Sequence, residues 1–209
     1  MTNMVRLSKS SISSLEIDAV SDVLKNEYLG MGEAVGQFEI LLTEYLTVPT
    51  LAVSSGTAAL QLALQAIGVG RGDTVLVPTT TYVASFQAIS AIGAEPIACD
   101  INPETLFIDL SDAAKRVLSS TKAIMPVHFA GDTFDFDAVY AFAKSFGLRV
   151  VEDAAHAFGS EYPSGKLVGS VGDIVCFSFD GIKNITSGEG GCVVTNNKKI
   201  IKILKEKRV

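Results

Sequence analysis

Short apolar runs alternate with helical segments along most of this 209-residue chain. Seven apolar runs lie near residues 51–54, 74–77, 95–99, 123–127, 149–152, 174–178 and 191–195. Helical periodicity lies between them, near residues 57–67, 81–92, 111–118 and 135–147. Continuously apolar strands joined by helices are typical of a mostly parallel sheet that is covered on both faces. The alternation therefore predicts a three-layer α/β/α fold with a seven-stranded, mostly parallel sheet.

Two helices are predicted ahead of this alternation. The segment from Ser13 to Asn26 has a capping box, formed by Ser13 and Glu16, followed by apolar residues at helical spacing. A second helix is predicted from about Val35 to Leu46. We therefore predict an N-terminal helical segment, residues 1–46, followed by a domain that covers residues 47–209.

Composition argues against several classes of function. The formal net charge of −6 argues against a general nucleic-acid-binding protein. The longest apolar stretch, Leu51 to Gly70, is interrupted by polar residues and glycines, which argues against a membrane span. With two histidines and no H-E-x-x-H or C-x-x-C motif, the sequence predicts no catalytic metal.

Cysteine usage indicates a reducing compartment. Cys99, Cys176 and Cys192 are odd in number and lie in apolar, strand-like segments, so we predict buried thiols rather than disulfides. The first residues, Met1 to Met4, lack the basic and apolar regions of a secretion signal. Together these features predict a cytoplasmic location.

Three separate segments carry groups that suit pyridoxal phosphate (PLP). Lys183 lies in a glycine-rich turn, where its amine can form a Schiff base with an aldehyde cofactor. Asp153 ends an apolar strand and can supply a counter-charge to a pyridine nitrogen. The turn Ser54–Thr57 opens a helix, whose N-terminal N–H groups and dipole favour a phosphate. Taken singly, Lys183 could be a solvated surface residue and Asp153 a helix cap. Because Asp153 and the turn follow strands, we expect them at the carboxyl edge of the sheet, where such folds bind ligands.

Four linked motifs resemble one known family. They are SSGTAAL at Ser54–Leu60, PTTTY at Pro78–Tyr82, VEDAAHAFGS at Val151–Ser160, and the segment Phe177–Gly191, which contains Lys183. In this order and spacing they resemble the DegT/DnrJ/StrS-type sugar aminotransferases, and the resemblance runs from the first helix to the last residue. It implies the large domain of the aspartate-aminotransferase fold, with residues 47–209 as the PLP-binding domain.

The resemblance assigns roles to residues of the motifs. It implies Lys183 as the catalytic Schiff-base lysine and Asp153 as the partner of the pyridine nitrogen. It also implies Ser178 and the turn residues Gly56 and Thr57 as phosphate ligands. Some relatives carry histidine in place of the lysine and are dehydratases, so Lys183 favours the aminotransferase branch.

Two further cofactor contacts are implied. Tyr82 falls where relatives place an aromatic residue that stacks on the cofactor ring; an aromatic residue after a strand more often fills a core, but the motif favours stacking. His156 falls near the cofactor's phenolic oxygen, although a histidine at this position could equally be a capping or core residue.

The resemblance also implies an activity. We expect PLP-dependent transamination of a nucleotide-linked keto-deoxysugar, with glutamate as amino donor, in a homodimer that serves amino-sugar, lipopolysaccharide and other cell-surface polysaccharide biosynthesis. Another PLP reaction on the same fold, such as elimination, is a lesser alternative.

The final segment, Lys198–Arg208, has the pattern of a basic amphipathic helix. Such a helix could lie on a membrane or bind a partner, but in relatives it packs on the large domain. Relatives then continue into a smaller domain that helps to close the site. We therefore expect a large domain alone, and the alternative function is a catalytically silent remnant that binds PLP or a full-length partner.

Overall fold

A seven-stranded sheet organises the computed structural model, which describes residues 9–208. Met1–Met4, on which the absence of a secretion signal was argued, lie outside the described residues. The strands are β1 Thr50–Val53, β2 Thr74–Pro78, β3 Glu95–Cys99, β4 Thr121–Ile124, β5 Arg149–Asp153, β6 Ile174–Ser178 and β7 Gly191–Val194. The helices are α1 Ser14–Lys25, α2 Glu33–Leu46, α3 Gly56–Ala66, α4 Val83–Ala91, α5 Leu110–Arg116, α6 Phe136–Phe146 and α7 Lys198–Lys207.

The sheet has the order β1-β7-β6-β5-β4-β2-β3. Strand β7 runs antiparallel to both of its neighbours, β1 and β6, and the other neighbouring pairs are parallel. The predicted seven-stranded, mostly parallel sheet is therefore confirmed. The parallel strands β2, β4, β5 and β6 all end at one edge, which fixes where a ligand site can form.

Alternate residues of each central strand pack on opposite faces of the sheet. Val151 of β5 lies in a core cluster with residues of α3, α4 and α7, whereas its neighbour Val150 lies in a cluster with residues of α5 and α6. A third cluster joins α2 to β6 and β7. Strands buried on both faces must be continuously apolar, which explains the runs seen in the sequence.

The outer edge of β1 is closed by side chains rather than by another strand. The N–H of Thr50 donates to Oγ1 of Thr43 at 3.1 Å, and the N–H of Ala52 donates to Oε1 of Glu39 at 2.8 Å. Arg208 donates to the carbonyl of Ala52 at 3.2 Å and forms an ion pair with Glu39. These contacts occupy backbone groups that an edge strand would otherwise offer to another chain.

Helix α7 packs on this domain. Ile200 and Leu204 are buried in the same core cluster as α3, and the basic side chains point outward. The apolar face of α7 is thus covered within the chain, as relatives led us to expect. Among residues 9–208, no helix has both the length and the apolar character to cross a bilayer.

Helix α1 forms as predicted, but its apolar side chains are exposed. The capping box is present, since the N–H of Ser13 donates to Glu16 at 2.6 Å and Ser13 accepts from the N–H of Leu15 at 3.2 Å. Leu15, Val20 and Leu24 are each more than half exposed. The sequence pattern of α1 therefore specifies a helix whose apolar face is uncovered in this chain.

The three cysteines are buried free thiols, which confirms the prediction for Cys99, Cys176 and Cys192. Burial is the main cause that raises the pKa of each thiol, and for Cys99 the pKa rises to about 11. These thiols are therefore protonated in the folded chain at neutral pH.

Candidate active site

A cavity of about 510 Å³ opens at the carboxyl edge of the sheet, beside the N-terminus of α3. All seven residues that the sequence nominated line this cavity: Gly56, Thr57, Tyr82, Asp153, His156, Ser178 and Lys183. These residues come from four segments that are far apart in the chain. The size is within the range of small-molecule sites, roughly 300–1,000 Å³.

The N-terminus of α3 forms one end of the cavity. Ser55 caps this helix by accepting the N–H of Ala58 at 3.1 Å, and its carbonyl accepts the N–H of Ala59. The N–H groups of Gly56 and Thr57 belong to the first turn, where a helix offers no internal acceptor. They remain available to an anion, and the helix dipole favours one there.

Two glycines allow α3 to approach the sheet closely. A Cβ atom on Gly56 would lie 2.7 Å from Cβ of Ser178, and one on Gly191 would lie 2.6 Å from the carbonyl carbon of Ser55. The hydroxyl of Ser178, at the end of β6, is therefore held against the first turn of α3. Together they present hydroxyl and N–H donors to one place.

Asp153 lies at the floor of the cavity and is 5% exposed. It is the last residue of β5, so its side chain emerges where the strand ends. One carboxylate oxygen accepts the N–H of Ala155 at 3.1 Å, and the other accepts the hydroxyl of Ser85 at 2.6 Å. The helix-cap alternative for Asp153 is wrong, because the residues that follow it form turns and no helix begins there.

Lys183 lies in the turn that follows β6 and is partly buried. The backbone N–H of Lys183 donates to the backbone carbonyl of Asp180 at 3.0 Å. The side chain of Asp180 accepts the backbone N–H of Ile182 at 3.0 Å. Asn184 donates to the carbonyl of Phe158 at 2.8 Å and ties the turn to the neighbouring loop. These bonds bring the lysine to the cavity wall rather than to open surface.

His156 is held with one nitrogen facing the backbone. Its Nδ1 accepts the N–H of Ala130 at 3.3 Å, which leaves Nε2 as the protonated nitrogen of a neutral ring. Burial, followed by the positive charge of Lys183, lowers the pKa of His156 below its ordinary 6.5, against the opposing influence of Asp153. The ring is therefore neutral at pH 7 and can donate from Nε2.

Tyr82 lies at the rim of the cavity. It is the N-cap residue of α4 and is 70% exposed, so the alternative that it fills a core is wrong. An exposed aromatic ring beside a cavity can cover a flat ligand.

A buried carboxylate lies on the opposite face of β5 from Asp153. Glu152 is fully buried and accepts from Nε2 of His128 at 2.8 Å, from the hydroxyl of Tyr140 at 2.7 Å and from that of Tyr162 at 2.5 Å. Burial first, and then the charge of Glu152, raise the pKa of both tyrosines. Sequence reasoning missed this cluster because its members are far apart in the chain and no motif links them.

Sequence reasoning also missed Ser85, which is fully buried and contacts Asp153 directly.

Among the residues that the structure describes, no three His, Cys, Asp or Glu side chains are grouped in a way that could hold a metal ion.

Comparison with known proteins shows which family this chain belongs to. The family model described as the DegT/DnrJ/EryC1/StrS aminotransferase family matches residues 10–209. The chain belongs to this aminotransferase family.

Relatives within the family include sugar aminotransferases. The chain is 45% identical over 192 residues to GDP-perosamine synthase of Escherichia coli O157:H7, covering 91% of this chain and 52% of the relative. The structure of S. venezuelae DesV matches with a TM-score of 0.89 at 36% identity, covering 93% of this chain and 53% of DesV. The PLP form of the putative sugar aminotransferase Spr1654 from Streptococcus pneumoniae matches with a TM-score of 0.89 at 33% identity, covering 97% and 56%.

These matches bear on the cofactor and on the extent of the chain. The family is PLP-dependent, and its solved members adopt the same fold as this chain, that of the PLP fold type I aminotransferases. The chain spans about half the length of the relatives that it matches.

The residues present in the cavity fit PLP by their chemistry. The close contact between α3 and Ser178, which a Cβ on Gly56 would prevent, leaves a small-residue seat with several donors for a phosphate. A carboxylate, Asp153, lies at the cavity floor, and an amine, Lys183, lies at the wall. The phosphate of PLP would thus meet the donors of α3 and Ser178, its pyridine nitrogen would meet Asp153, and its aldehyde would meet Lys183.

Proposed function

We propose that this chain is the PLP-binding domain of an aminotransferase that acts on a nucleotide-linked keto-deoxysugar with glutamate as amino donor. One observation carries the proposal: Lys183, Asp153 and the N-terminus of α3 converge on a single cavity. Residues 47–209 form this domain in our proposal, and residues 1–46 form a helical segment attached to it.

Each residue has a task that follows from its position. When bound, PLP supplies an electron sink for the pair released as a substrate C–H bond breaks. Asp153, an acceptor held at the buried floor, keeps a proton on the ring nitrogen. Lys183 Nζ would hold the cofactor and, when its amine is free, would take the proton from the donor's Cα.

The other cavity residues orient the ring. Gly56, Thr57 and Ser178 hold the phosphate through N–H and hydroxyl donors, and Tyr82 covers one face of the ring. His156, neutral and with Nε2–H available, donates to the phenolic oxygen. With the ring held in this way, the amine of Lys183 at the cavity wall would be the group that holds the aldehyde.

The proposed substrate class is supported by the named relative. GDP-perosamine synthase is a sugar-nucleotide enzyme by its name, and 45% identity over most of this chain favours a similar substrate. We infer a cytoplasmic role in supplying amino sugars for lipopolysaccharide or another cell-surface polysaccharide. Glutamate is inferred as donor from the family resemblance.

A homodimer is also proposed. Tyr82 and Ile182 line the cavity and are exposed, Val83 and Ile185 are exposed close to them in the sequence, and further exposed apolar side chains follow the face of α1. Large exposed apolar patches mark association surfaces, and a two-fold pairing would bury the same patch on both subunits. Light scattering on the purified chain checks this, and a monodisperse monomer would contradict it.

The cofactor assignment is tested by chemical trapping. Purified protein is incubated with PLP, reduced with borohydride and digested, and the peptides are analysed by mass spectrometry. We expect the pyridoxyl mass on Lys183. The matched variants are Lys183→Ala, which should lose the label, and Lys166→Ala, which should keep it. A label confined to Lys166 or Lys198 would overturn the site assignment.

A substrate screen separates the proposed activity from the silent alternative. Nucleotide-linked 3-keto- and 4-keto-6-deoxysugars are incubated with the PLP-loaded protein and glutamate, and amino-sugar products are followed by mass spectrometry. Product formation supports the aminotransferase. PLP bound at Lys183 without any product favours the silent PLP-binding alternative, which can be checked by adding a full-length relative and measuring association.

A further inference from the structure

We propose that Ser85, supported by Thr81, is a positioning residue for Asp153, an inference that rests on the proposed PLP site. Ser85 is the third residue of α4 and is fully buried. Its hydroxyl lies 2.6 Å from Oδ2 of Asp153 and 2.6 Å from Oγ1 of Thr81. The three side chains form one continuous hydrogen-bonded chain that starts at the cavity wall, which Thr81 lines.

The number of available protons fixes the direction of the hydrogen bonds among Thr81, Ser85 and Asp153. An ionised carboxylate accepts only, so the single hydroxyl proton of Ser85 is donated to Asp153. Ser85 can then only accept from its other neighbour, and Thr81 must donate to it. The 2.6 Å bond from Ser85 to Asp153 is short for a hydroxyl donor, as expected where the acceptor is charged.

These hydrogen bonds restrain the orientation of the Asp153 carboxylate. Oδ2 of Asp153 is held by Ser85, and Oδ1 is held by the N–H of Ala155 at 3.1 Å. With one donor on each oxygen, rotation about the Cβ–Cγ bond would break at least one hydrogen bond in a buried site. Each oxygen has further lone pairs, so the carboxylate can be fixed and still face the cavity.

Helix α4 also links this carboxylate to the aromatic rim residue. Tyr82 caps the helix, and its carbonyl accepts the N–H of Ser85 at 3.2 Å. Ser85 therefore ties Asp153 to the same turn that presents Tyr82. A ring held between these two residues would have its nitrogen and one face positioned by a single short segment.

The test compares removal of this hydroxyl with removal of another buried hydroxyl. Ser85→Ala breaks the bond to Asp153, and Thr81→Val removes only the outer donor. Thr74→Val is the matched control, because Thr74 is buried at the far end of β2 and its hydroxyl pairs with Thr121 at 2.8 Å, away from the cavity. Each purified variant is titrated with PLP, and the absorbance spectrum of the bound cofactor and the urea midpoint are recorded.

We expect Ser85→Ala to weaken PLP binding about tenfold, because Asp153 can then turn and lose its hydrogen bond to the ring nitrogen, a bond that involves a charged group. Its bound-cofactor absorption band should shift relative to the wild-type protein. Thr81→Val should produce a smaller change in the same direction. Thr74→Val should lower the urea midpoint but leave affinity and spectrum unchanged, because it removes a hydroxyl without touching the site.

Two outcomes would overturn the proposal. Affinity and spectrum in Ser85→Ala equal to those of the wild type would show that Asp153 needs no such support. Equal effects of Ser85→Ala and Thr74→Val would show that the change reflects general stability. If instead the wild-type protein fails to bind PLP at Lys183, the proposed function itself fails, and this result is read from the wild type alone.

Discussion

Replacing Gly56 with alanine tests whether the N-terminus of α3 is the phosphate seat. The added Cβ would lie 2.7 Å from Cβ of Ser178, 3.1 Å from its Oγ and 3.3 Å from its Cα. Ordinary carbon–carbon contact is about 3.5 Å, so the first turn of α3 must move away from β6 by about 0.8 Å. Neither the end of a flexible side chain nor open space is available to absorb this movement.

The displacement has two measurable consequences. Overpacking of this kind costs about 1–3 kcal/mol of unfolding free energy. It also separates the N–H groups of Gly56 and Thr57 from Ser178, so a phosphate cannot keep good bonds to both groups. Loss of one or two charge-assisted hydrogen bonds, at about 1.5–3 kcal/mol each, predicts that PLP affinity falls at least tenfold.

The assay compares PLP with pyridoxal, which lacks the phosphate. Dissociation constants of both ligands are measured by absorbance titration, and stability is measured by urea unfolding. Gly36→Ala is the matched control: Gly36 lies within α2 with open space around its Cα, so alanine there should stabilise the chain by roughly 0.5–1 kcal/mol. This control should leave the affinities for both ligands unchanged.

The preference for PLP over pyridoxal is the decisive quantity. We expect Gly56→Ala to reduce this preference and Gly36→Ala to preserve it. An unchanged preference in Gly56→Ala would refute the assignment of the phosphate to α3. Unchanged stability in that variant would refute the steric argument.

Further expected outcomes concern the carboxylates and the buried thiols. The Asp153→Asn variant should still be trapped with PLP at Lys183, but it should convert glutamate in a single turnover at least about 100-fold more slowly. Each tenfold corresponds to about 1.4 kcal/mol of activation barrier. An unchanged single-turnover rate in rapid mixing would exclude the proposed role of Asp153. Tyr162→Phe removes one of three donors from the buried carboxylate of Glu152 and should cost about 1.5–3 kcal/mol in urea unfolding, whereas a cost near zero would show that this bond does not stabilise the fold. Because the pKa of Cys99 is raised from 9.0 to about 11, the unfolded chain loses this proton first, so stability should be intact below pH 9 and decline between pH 9 and 11. Cys99→Ala should show a weaker decline in urea midpoint over that interval, and an identical decline would contradict the assignment.

Much of the fold could be predicted because it depends on local patterns. Strand β6 illustrates this, since residues 174–178 were predicted as a strand and form Ile174–Ser178 in the structure. The last helix was predicted from Lys198 and begins there. The sequence could not predict that β7 is antiparallel, because an apolar run has the same pattern in a parallel and in an antiparallel strand.

The site residues could be nominated but their geometry could not. Lys183 and Asp153 were found through motifs, since a motif records which residue types occur together. Their local environment arises from long-range contacts, as with Ser85, which meets Asp153 across 68 positions of the chain. No pattern of sequence spacing reports a contact of that range.

Local patterns were enough to specify the layered α/β fold, the helix caps and the identity of the candidate cofactor-binding side chains. Apolar periodicity and residue chemistry are local properties, so they are readable without coordinates. Tertiary packing was needed to establish that four distant segments share one cavity, that Tyr82 is exposed at its rim, and that buried Glu152 is held by three donors. These features depend on which strand ends and helix ends are brought together by folding, and that arrangement is set by the packing of the whole sheet.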